Sequence, residues 1–345
     1  MAEKSMGFFN LLQRYVAMIT EAVLLLAGLY LILRGSDWIT DAAASLARHL
    51  NTTHIAVGLV LVSLLLSLPE LLVAVSAMTK GHTGTSIGVS IGSIIVNLGL
   101  IIGISAMIKP LKIVRHLITR DAVFMFVTSI VVALIVVERL QITRMDGLIF
   151  LLLFIPYLVN VYEQEKTLAE KERKKESKMI RKTLQLIGKI GYPEIVIKDS
   201  WLIFLIGGTM LLIGTELFTN ALISLSGLLA VPDILIGLTI GAVGTSIPNM
   251  AAALQAVRKG YDELAVSETI GSNIVTLLIT LGIVAIIQPP LVIDPVTALV
   301  TTPALVLVSG VFFFFALSGR ISRLAGAVLF LLYIVTMVAE FALRV

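Results

Sequence analysis

The sequence predicts an all-α integral membrane protein whose ten transmembrane helices form two inverted five-helix repeats. Three observations support this fold class. The 345 residues are 58% hydrophobic and 14% charged, whereas soluble domains carry about 25% charged residues. Apolar runs long enough to cross a bilayer recur along the chain. One set of glycines, prolines and polar residues occurs twice at a constant spacing, which indicates an internal repeat.

Each half of the chain contributes five predicted spans, and a charged segment separates the halves. Because five is an odd number, the second half enters the membrane from the opposite side. We expect an interfacial N-terminal segment over 1–16, a first repeat over 17–163, a basic linker over 164–198 and a second repeat over 199–345. The predicted spans are 17–35, 54–79, 85–108, 120–138, 145–163, 199–226, 232–257, 264–288, 293–317 and 322–343.

The repeat is defined by residues that match when 179 is added to the first-half number. Shared helix breakers and small residues at one offset are harder to obtain by chance than shared Leu or Ile. The repeat also argues against a cleaved signal peptide, because cleavage after the first apolar run would remove Gly28 and Gly35. The first-half members are Gly28, Gly35, Gly58, Ser67, Pro69, Lys80, Gly81, Gly92, Ser93, Gly103 and Pro110. Their partners are Gly207, Gly214, Gly237, Ser246, Pro248, Lys259, Gly260, Gly271, Ser272, Gly282 and Pro289.

The stretch from Ser67 to Glu70 places an acid near the middle of the apolar run 55–78. A carboxylate is costly in hydrocarbon, so Glu70 should face a protein-lined or wet cavity. Pro69 has no N–H for the carbonyl of Leu65, which predicts a helix kink with backbone oxygen exposed near the acid. Hydroxyl, carbonyl and carboxylate oxygens together favour a hard cation. A polar residue bonded inside a helix bundle is the alternative.

Further polar residues surround both prolines at helical spacing. Residues three or four apart share a helix face, and small residues beside them let neighbouring backbones approach. A single Ser or Thr more commonly bonds back to its own helix, but the repetition beside both kinks predicts two facing half-sites. The first half-site holds Ser67, Glu70, Ser93 and Asn97, and the second holds Thr245, Ser246, Asn249, Ser272, Asn273 and Thr276.

The composition excludes several other classes of protein. The chain has no cysteine, so it forms neither disulfides nor thiolate metal sites, and its four histidines are dispersed. No Ser–His–Asp set lies at one predicted depth, so we expect neither an enzyme nor a bound cofactor. The net charge of +4 fits membrane orientation better than nucleic-acid binding.

The distribution of Lys and Arg predicts the orientation in the bilayer. These residues concentrate in segment 164–198 and in loops predicted on the same side, such as the loop with Lys109, Lys112 and Arg115. Because cytoplasmic loops carry the excess of Lys and Arg, we expect the linker in the cytoplasm and both termini outside. The sequence therefore predicts a multi-pass protein of the cell membrane, in contact with the lipid bilayer.

Two motifs of the second half, Gly244-Thr245-Ser246-Ile247-Pro248 and Gly271-Ser272-Asn273-Ile274, resemble the alpha repeats of the cation/calcium antiporter superfamily, especially the sodium/calcium exchangers. The likeness covers residues 17–110 and 199–290. It implies a sodium/calcium exchanger-like fold with a mid-membrane site for calcium and sodium. It also implies the ligands, which we expect to be Glu70, Ser67, Ser93, Asn97, Thr245, Ser246 and Ser272, with Asn249 and Thr276 at positions where the family places further ligands.

The chain departs from the family pattern at several of these positions. Leu65-Leu66 precede Ser67 in place of Gly-Thr, and Ile94 replaces an Asn. Asn249 stands where the second motif normally ends in Glu, and Thr276 stands where an acid or other polar ligand is expected. A dication against one carboxylate leaves about one positive charge uncompensated, whereas one sodium ion or one proton would neutralise Glu70.

These departures leave three functions open. The first is a secondary antiporter that exchanges calcium for sodium or protons, with Glu70 as the residue for which the ions compete. The second is a monovalent cation/proton antiporter on the same fold, and the third is a channel-like or non-transporting relative. Glu268 lies one turn before Ser272, and we expect a vestibule charge there rather than a direct ligand. Asp37 and Glu216, another pair under the offset, are expected at the membrane interface.

Overall fold

The computed structural model describes residues 2–49, 63–115, 117–167, 200–288 and 290–344, most of which are helical. The helices are α1 (Ala2–His49), α2 (Leu68–Thr79), α3 (Thr83–Ile108), α4 (Leu117–Arg139), α5 (Arg144–Thr167), α6 (Ser200–Leu229), α7 (Asp233–Thr245), α8 (Ile247–Arg258), α9 (Asp262–Ile287), α10 (Thr297–Ala316) and α11 (Arg323–Arg344). The strands are β1 (Leu111–Lys112), β2 (Gln141–Ile142), β3 (Leu291–Val292) and β4 (Arg320–Ile321).

The described helices are consistent with the ten predicted spans. Eight of them are long and apolar enough to cross a membrane, and α7 with α8, bent by 46°, form a ninth candidate. The predicted span 54–79 begins outside the described residues and ends in the short apolar helix α2. α1 runs without a break from Ala2, so the described backbone continues through residue 16 as one helix. Most of the predicted linker 164–198 lies outside the described residues.

α1 and α6 cross at four glycines that are partners under the offset. A Cβ added to Gly28 would lie 2.9 Å from the carbonyl oxygen of Gly214, and one added to Gly35 would lie 2.6 Å from that of Gly207. The residue numbers of the contacts decrease along α6 as they increase along α1, so the two helices are antiparallel. Replacing every glycine by its partner under the offset turns the Gly28–Gly214 contact into the Gly207–Gly35 contact. A twofold rotation therefore exchanges the two halves. The predicted inversion of the repeats follows from this arrangement.

The crossing predicts a large effect of Gly35→Ala on stability. The added Cβ would lie 2.5 Å from the backbone nitrogen of Leu211, and overpacking of this kind costs about 1–3 kcal/mol. Gly208→Ala is the matched control on α6, because no described residue outside the same helix turn lies within 4 Å of a Cβ there, and Ala favours the helix. Thermal unfolding in detergent should show a lower melting temperature for Gly35→Ala only. Equal melting temperatures for the two variants would contradict the close crossing.

The same twofold relation extends to the outer parts of the molecule. β1 pairs with β4, and β2 pairs with β3, so each short sheet takes one strand from each half. Ser129 donates to Ser309 over 3.3 Å, and these residues are 180 apart, one more than the offset that holds from Gly28 to Pro110. The two halves are therefore joined by strand pairing and hydrogen bonds. The interface between them holds the buried polar residues described next.

Candidate cation-binding site

Both halves interrupt a helix in the same way just before a proline. Ser67 precedes α2 with φ −88° and ψ −1°, and Ser246 precedes α8 with φ −85° and ψ 0°. Pro69 and Pro248 then lie in the first turn of the new helix, where N–H groups have no helical partner and a missing donor costs little. The breaks place Glu70 and Asn249 at equivalent positions in the first turns of α2 and α8.

Glu70 and Asn249 face each other across the interface between the halves. Asn249 Nδ2 donates to Glu70 Oε1 over 3.3 Å, and both side chains are 0% exposed. Ser246 Oγ donates to the same carboxylate oxygen over 3.4 Å. Glu70 and Asn249 are 179 residues apart, so they exchange under the twofold relation. Residues that exchange in this way can touch only at the axis, and the carboxylate therefore lies at the centre of the repeat.

A chain of hydroxyl groups extends from this centre. Ser67 Oγ donates to the carbonyl of Ser63 over 2.7 Å, and the Ser67 and Ser272 hydroxyl oxygens are 2.8 Å apart. Because the Ser67 proton is used on Ser63, Ser272 is the donor in the second contact. Ser272 in turn accepts from Asn249 Nδ2 over 3.0 Å. Ligands predicted from both halves are thus connected in one hydrogen-bonded chain.

Ser93 and Thr245 meet on the other side of the central pair, with their hydroxyl oxygens 3.5 Å apart. Asn97 Nδ2 donates over 2.9 Å to Asn273 Oδ1 of the opposite half. The sequence singled out Asn273 beside the motif without assigning it as a ligand, and the structure places it as the support of Asn97. Each of these four side chains is fully buried.

Two of the predicted ligands lie in π-helical turns. Asn97 belongs to the turn Val96–Ile102 of α3, and Thr276 begins the turn Thr276–Thr280 of α9. Thr276 Oγ1 donates to the carbonyl of Ser272 over 3.0 Å. π-helical turns inside α-helices occur frequently at functional sites, because the extra residue changes the direction of neighbouring side chains. With these two, all nine predicted ligand residues are at most 1% exposed and lie along the interface between the halves.

Several oxygens of the site accept no hydrogen bond from the described residues. They are Glu70 Oε2, Asn97 Oδ1 and Asn249 Oδ1, all without access to solvent. A buried acceptor without a donor costs about 1–3 kcal/mol, and a bound cation removes this cost. The hydroxyls of Ser67, Thr245 and Thr276 donate to backbone carbonyls and keep their lone pairs. These hydroxyls thus form the bonds to their own helix that the alternative interpretation expects. Their oxygens can still bind an ion, because the lone pairs remain free.

Glu268 occupies a more enclosed place than the vestibule that the sequence predicted. Its side chain is 3% exposed, and neither carboxylate oxygen has a donor among the described residues. Glu216 differs, because it forms an ion pair with Lys80 and its side chain is 55% exposed, as expected of an interfacial acid. No group of three or more His, Cys, Asp or Glu residues gathers in the described part of the chain, so the site consists mainly of neutral oxygen ligands.

The fold and the site define a multi-pass membrane protein in which two inverted repeats enclose an oxygen-lined site of the kind that binds hard cations. The family model described as sodium/calcium exchanger protein matches residues 20–163 and 199–342. The chain therefore belongs to the sodium/calcium exchanger family.

Individual relatives match almost the whole chain. The putative antiporter CaxA of Alkalimonas amylolytica is 30% identical over 325 residues, which are 92% of this chain and 97% of that protein. The sodium/calcium exchanger MaX1 of Methanosarcina acetivorans is 28% identical over 348 residues, with 92% and 98% covered. A solved structure of the sodium-calcium exchanger NCX_Mj, soaked with 100 mM Na⁺ and 10 mM Sr²⁺, matches with a TM-score of 0.63 and 28% identity. That match covers 93% of this chain and 98% of the solved one.

Proposed function

We propose that this protein is a secondary antiporter that exchanges calcium for sodium, and that the two ions compete for Glu70. The observation that carries the proposal is the fully buried pair of Glu70 and Asn249, whose oxygens Oε2 and Oδ1 have no donor among the described residues. All-oxygen ligand sets suit calcium and sodium. The relatives MaX1 and NCX_Mj are named as sodium/calcium exchangers, which supports the same pair of ions here.

The proposed ligands divide into those with unused acceptors and those that contribute lone pairs of a hydroxyl. The first group consists of Glu70, Asn97 and Asn249, whose free oxygens need a positive partner. Calcium takes about 6–8 oxygens, so hydroxyl groups must complete the shell. The second group consists of Ser67, Ser93, Thr245, Ser246, Ser272 and Thr276.

Antiport requires that the site open to one side of the membrane at a time. The interrupted helices from the two halves meet at the site, whereas α1 and α6 cross each other through backbone contacts at their glycines. We propose that the α1–α6 pair moves as one unit against the remaining helices and exposes the site alternately. Because one carboxylate serves both ions, binding of one requires release of the other.

Reconstitution into liposomes tests the exchange. Vesicles loaded with sodium and diluted into sodium-free buffer should take up radioactive calcium, and a sodium ionophore should stop the uptake by collapsing the gradient. Antiport would be contradicted if the rate of calcium uptake did not saturate with the concentration of either ion and did not depend on the sodium gradient. That result would favour the channel-like alternative.

A monovalent cation/proton antiporter on the same fold is the second candidate, favoured by Asn249 and Thr276 at positions where the family has acids or other ligands. One sodium ion or one proton would neutralise Glu70 without a second acid. Isothermal titration of the purified protein distinguishes the candidates. Calcium heat that sodium displaces supports calcium exchange, whereas sodium heat without calcium heat supports the second candidate.

We propose that the linker 164–198 is cytoplasmic and that both termini are outside. Lys80 and Lys259, partners under the offset, lie in turns before Gly81 and Gly260 at opposite ends of the molecule by the inverted repeat. The chain has no cysteine, so single-cysteine variants can be labelled without background. In intact cells, an impermeant maleimide should label Lys80→Cys but not Lys259→Cys, and permeabilisation should expose the second. The reverse pattern would invert the proposed orientation.

A further inference from the structure

Glu268 is a buried acid that the proposed ligand set does not use. It lies four residues before Ser272 on α9, so the two side chains share one face of that helix. Both Glu268 oxygens lack a donor among the described residues, although the side chain is only 3% exposed. Asn249 Nδ2 donates to both Glu70 Oε1 and Ser272 Oγ, so Glu268 lies one helical turn from the hydrogen-bonded centre that holds the Glu70 carboxylate. Two buried carboxylates in this relation need positive charge nearby, because the protein supplies neither a donor nor a cationic side chain to Glu268 in the described part of the chain.

The surroundings of Glu268 differ from those of its repeat partner. The offset pairs Glu268 with Val89, and it pairs Ser63 with Ala242. Val89 and Ala242 are both 0% exposed, and they pack beside Gly241 and Gly92 respectively, so the location of Val89 and Ala242 is an apolar helix contact. At the location of their partners, Ser63 Oγ lies beside Gly271, one turn from Glu268, where an added Cβ would be only 2.3 Å from it. A hydroxyl and a carboxylate thus stand on one side of the axis, where the other side has two apolar side chains.

This polar extension points toward one membrane surface. α9 begins at Asp262, whose carboxylate forms an ion pair with Lys109 over 2.9 Å. Glu268 is six residues further on, about 9 Å along the helix. Glu268 therefore lies between the central site and the surface that carries Lys109, which is the cytoplasmic one in the proposed orientation.

We infer that Glu268 is a second cation-binding carboxylate, which together with Ser63 forms a subsite adjoining Glu70 on the Lys109 side. This inference rests on the proposed function and explains how a chain with Asn249 in place of an acid binds calcium. Glu70 and Glu268 together carry two negative charges, which one calcium ion or two sodium ions neutralise. In this inference the second acid of the site lies on α9 and not at position 249 of α8.

Equilibrium calcium binding to the purified full-length protein tests this subsite. Glu268→Gln keeps the size of the side chain and removes its charge, so calcium affinity should fall at least about tenfold, which corresponds to about 1.4 kcal/mol. Glu263→Gln, an acid nearer the start of the same helix, should leave affinity within about twofold of the wild type. Melting temperatures measured without ions identify any variant that fails to fold. If Glu268→Gln fails to fold, Glu268→Asp, which retains the charge, replaces it in the comparison with the wild type.

A double variant separates the charge from its position. Glu268→Gln combined with Asn249→Glu restores two acids to the site and should recover calcium binding relative to Glu268→Gln alone. Unchanged calcium affinity in Glu268→Gln, in a wild type that exchanges calcium for sodium, would overturn the subsite and leave the proposed function standing. A wild type that binds sodium but no calcium in the same assay would overturn the proposed function itself.

Discussion

Glu70→Gln is expected to abolish sodium-dependent calcium exchange and to weaken calcium binding at least about 100-fold, the equivalent of about 2.7 kcal/mol. Glu70 is the carboxylate on the axis between the repeats, and it is the only acid that contacts predicted ligands of the other half among the described residues. Removal of one partner from a buried charge interaction costs about 3–5 kcal/mol. The measurements are calcium uptake into sodium-loaded liposomes and calcium binding to the purified variant.

The variant should fold, because a Gln at position 70 can still accept from Asn249 and Ser246. Glu216→Gln is the matched control, since that acid forms an ion pair with Lys80 and is more than half exposed. Surface pairs of this kind contribute little, so exchange by the control should stay within about threefold of the wild type. Full exchange by Glu70→Gln would remove this carboxylate from the transport mechanism.

The part of the fold that the sequence could predict is the part encoded by the repeat. Helix breakers at a fixed offset placed the interruptions at Ser67 and Ser246, and odd repeats required inversion. The offset also pairs Glu70 with Asn249 before any contact is known. The structure adds that this pair is in direct hydrogen-bonded contact. A pattern that is repeated and inverted fixes which residues meet at the axis, because only partners under the offset can lie there.

Features without a repeat partner could not be predicted in this way. Glu268 has an apolar repeat partner, Val89, and its place one turn before Ser272 on the cytoplasmic side suggested a vestibule. Its burial depends on how Ser63 and Gly271 pack, which is a contact between helices far apart in the sequence. The change of offset from 179 residues at Glu70 and Asn249 to 180 residues at Ser129 and Ser309 also escaped the sequence comparison. One residue of difference in a loop leaves no signal in composition or periodicity.

Gly271→Ala is expected to reduce calcium binding and exchange at least about tenfold, through position rather than charge. The added Cβ would lie 2.3 Å from Ser63 Oγ and 3.0 Å from Ser63 Cβ. Rotation of the Ser63 hydroxyl removes the first clash but not the second, so the backbone must shift, at a cost of about 1–3 kcal/mol. The carbonyl of Ser63 holds the hydroxyl of Ser67, which itself contacts Ser272. A displaced Ser63 therefore moves the ligand chain that joins the halves.

The combination of Gly271→Ala with Ser63→Gly tests this steric argument, since the smaller residue at 63 removes both close contacts. Ser63→Gly alone loses one hydroxyl of the proposed subsite and should lower calcium affinity only a few-fold. If crowding is the cause, the double variant should bind and exchange calcium like Ser63→Gly and clearly better than Gly271→Ala. A double variant as impaired as Gly271→Ala would show that the glycine matters for flexibility of α9 and not for the space it leaves to Ser63. Because both residues lie at the interface of the repeats, the recovery would also demonstrate that binding depends on how closely the two halves approach.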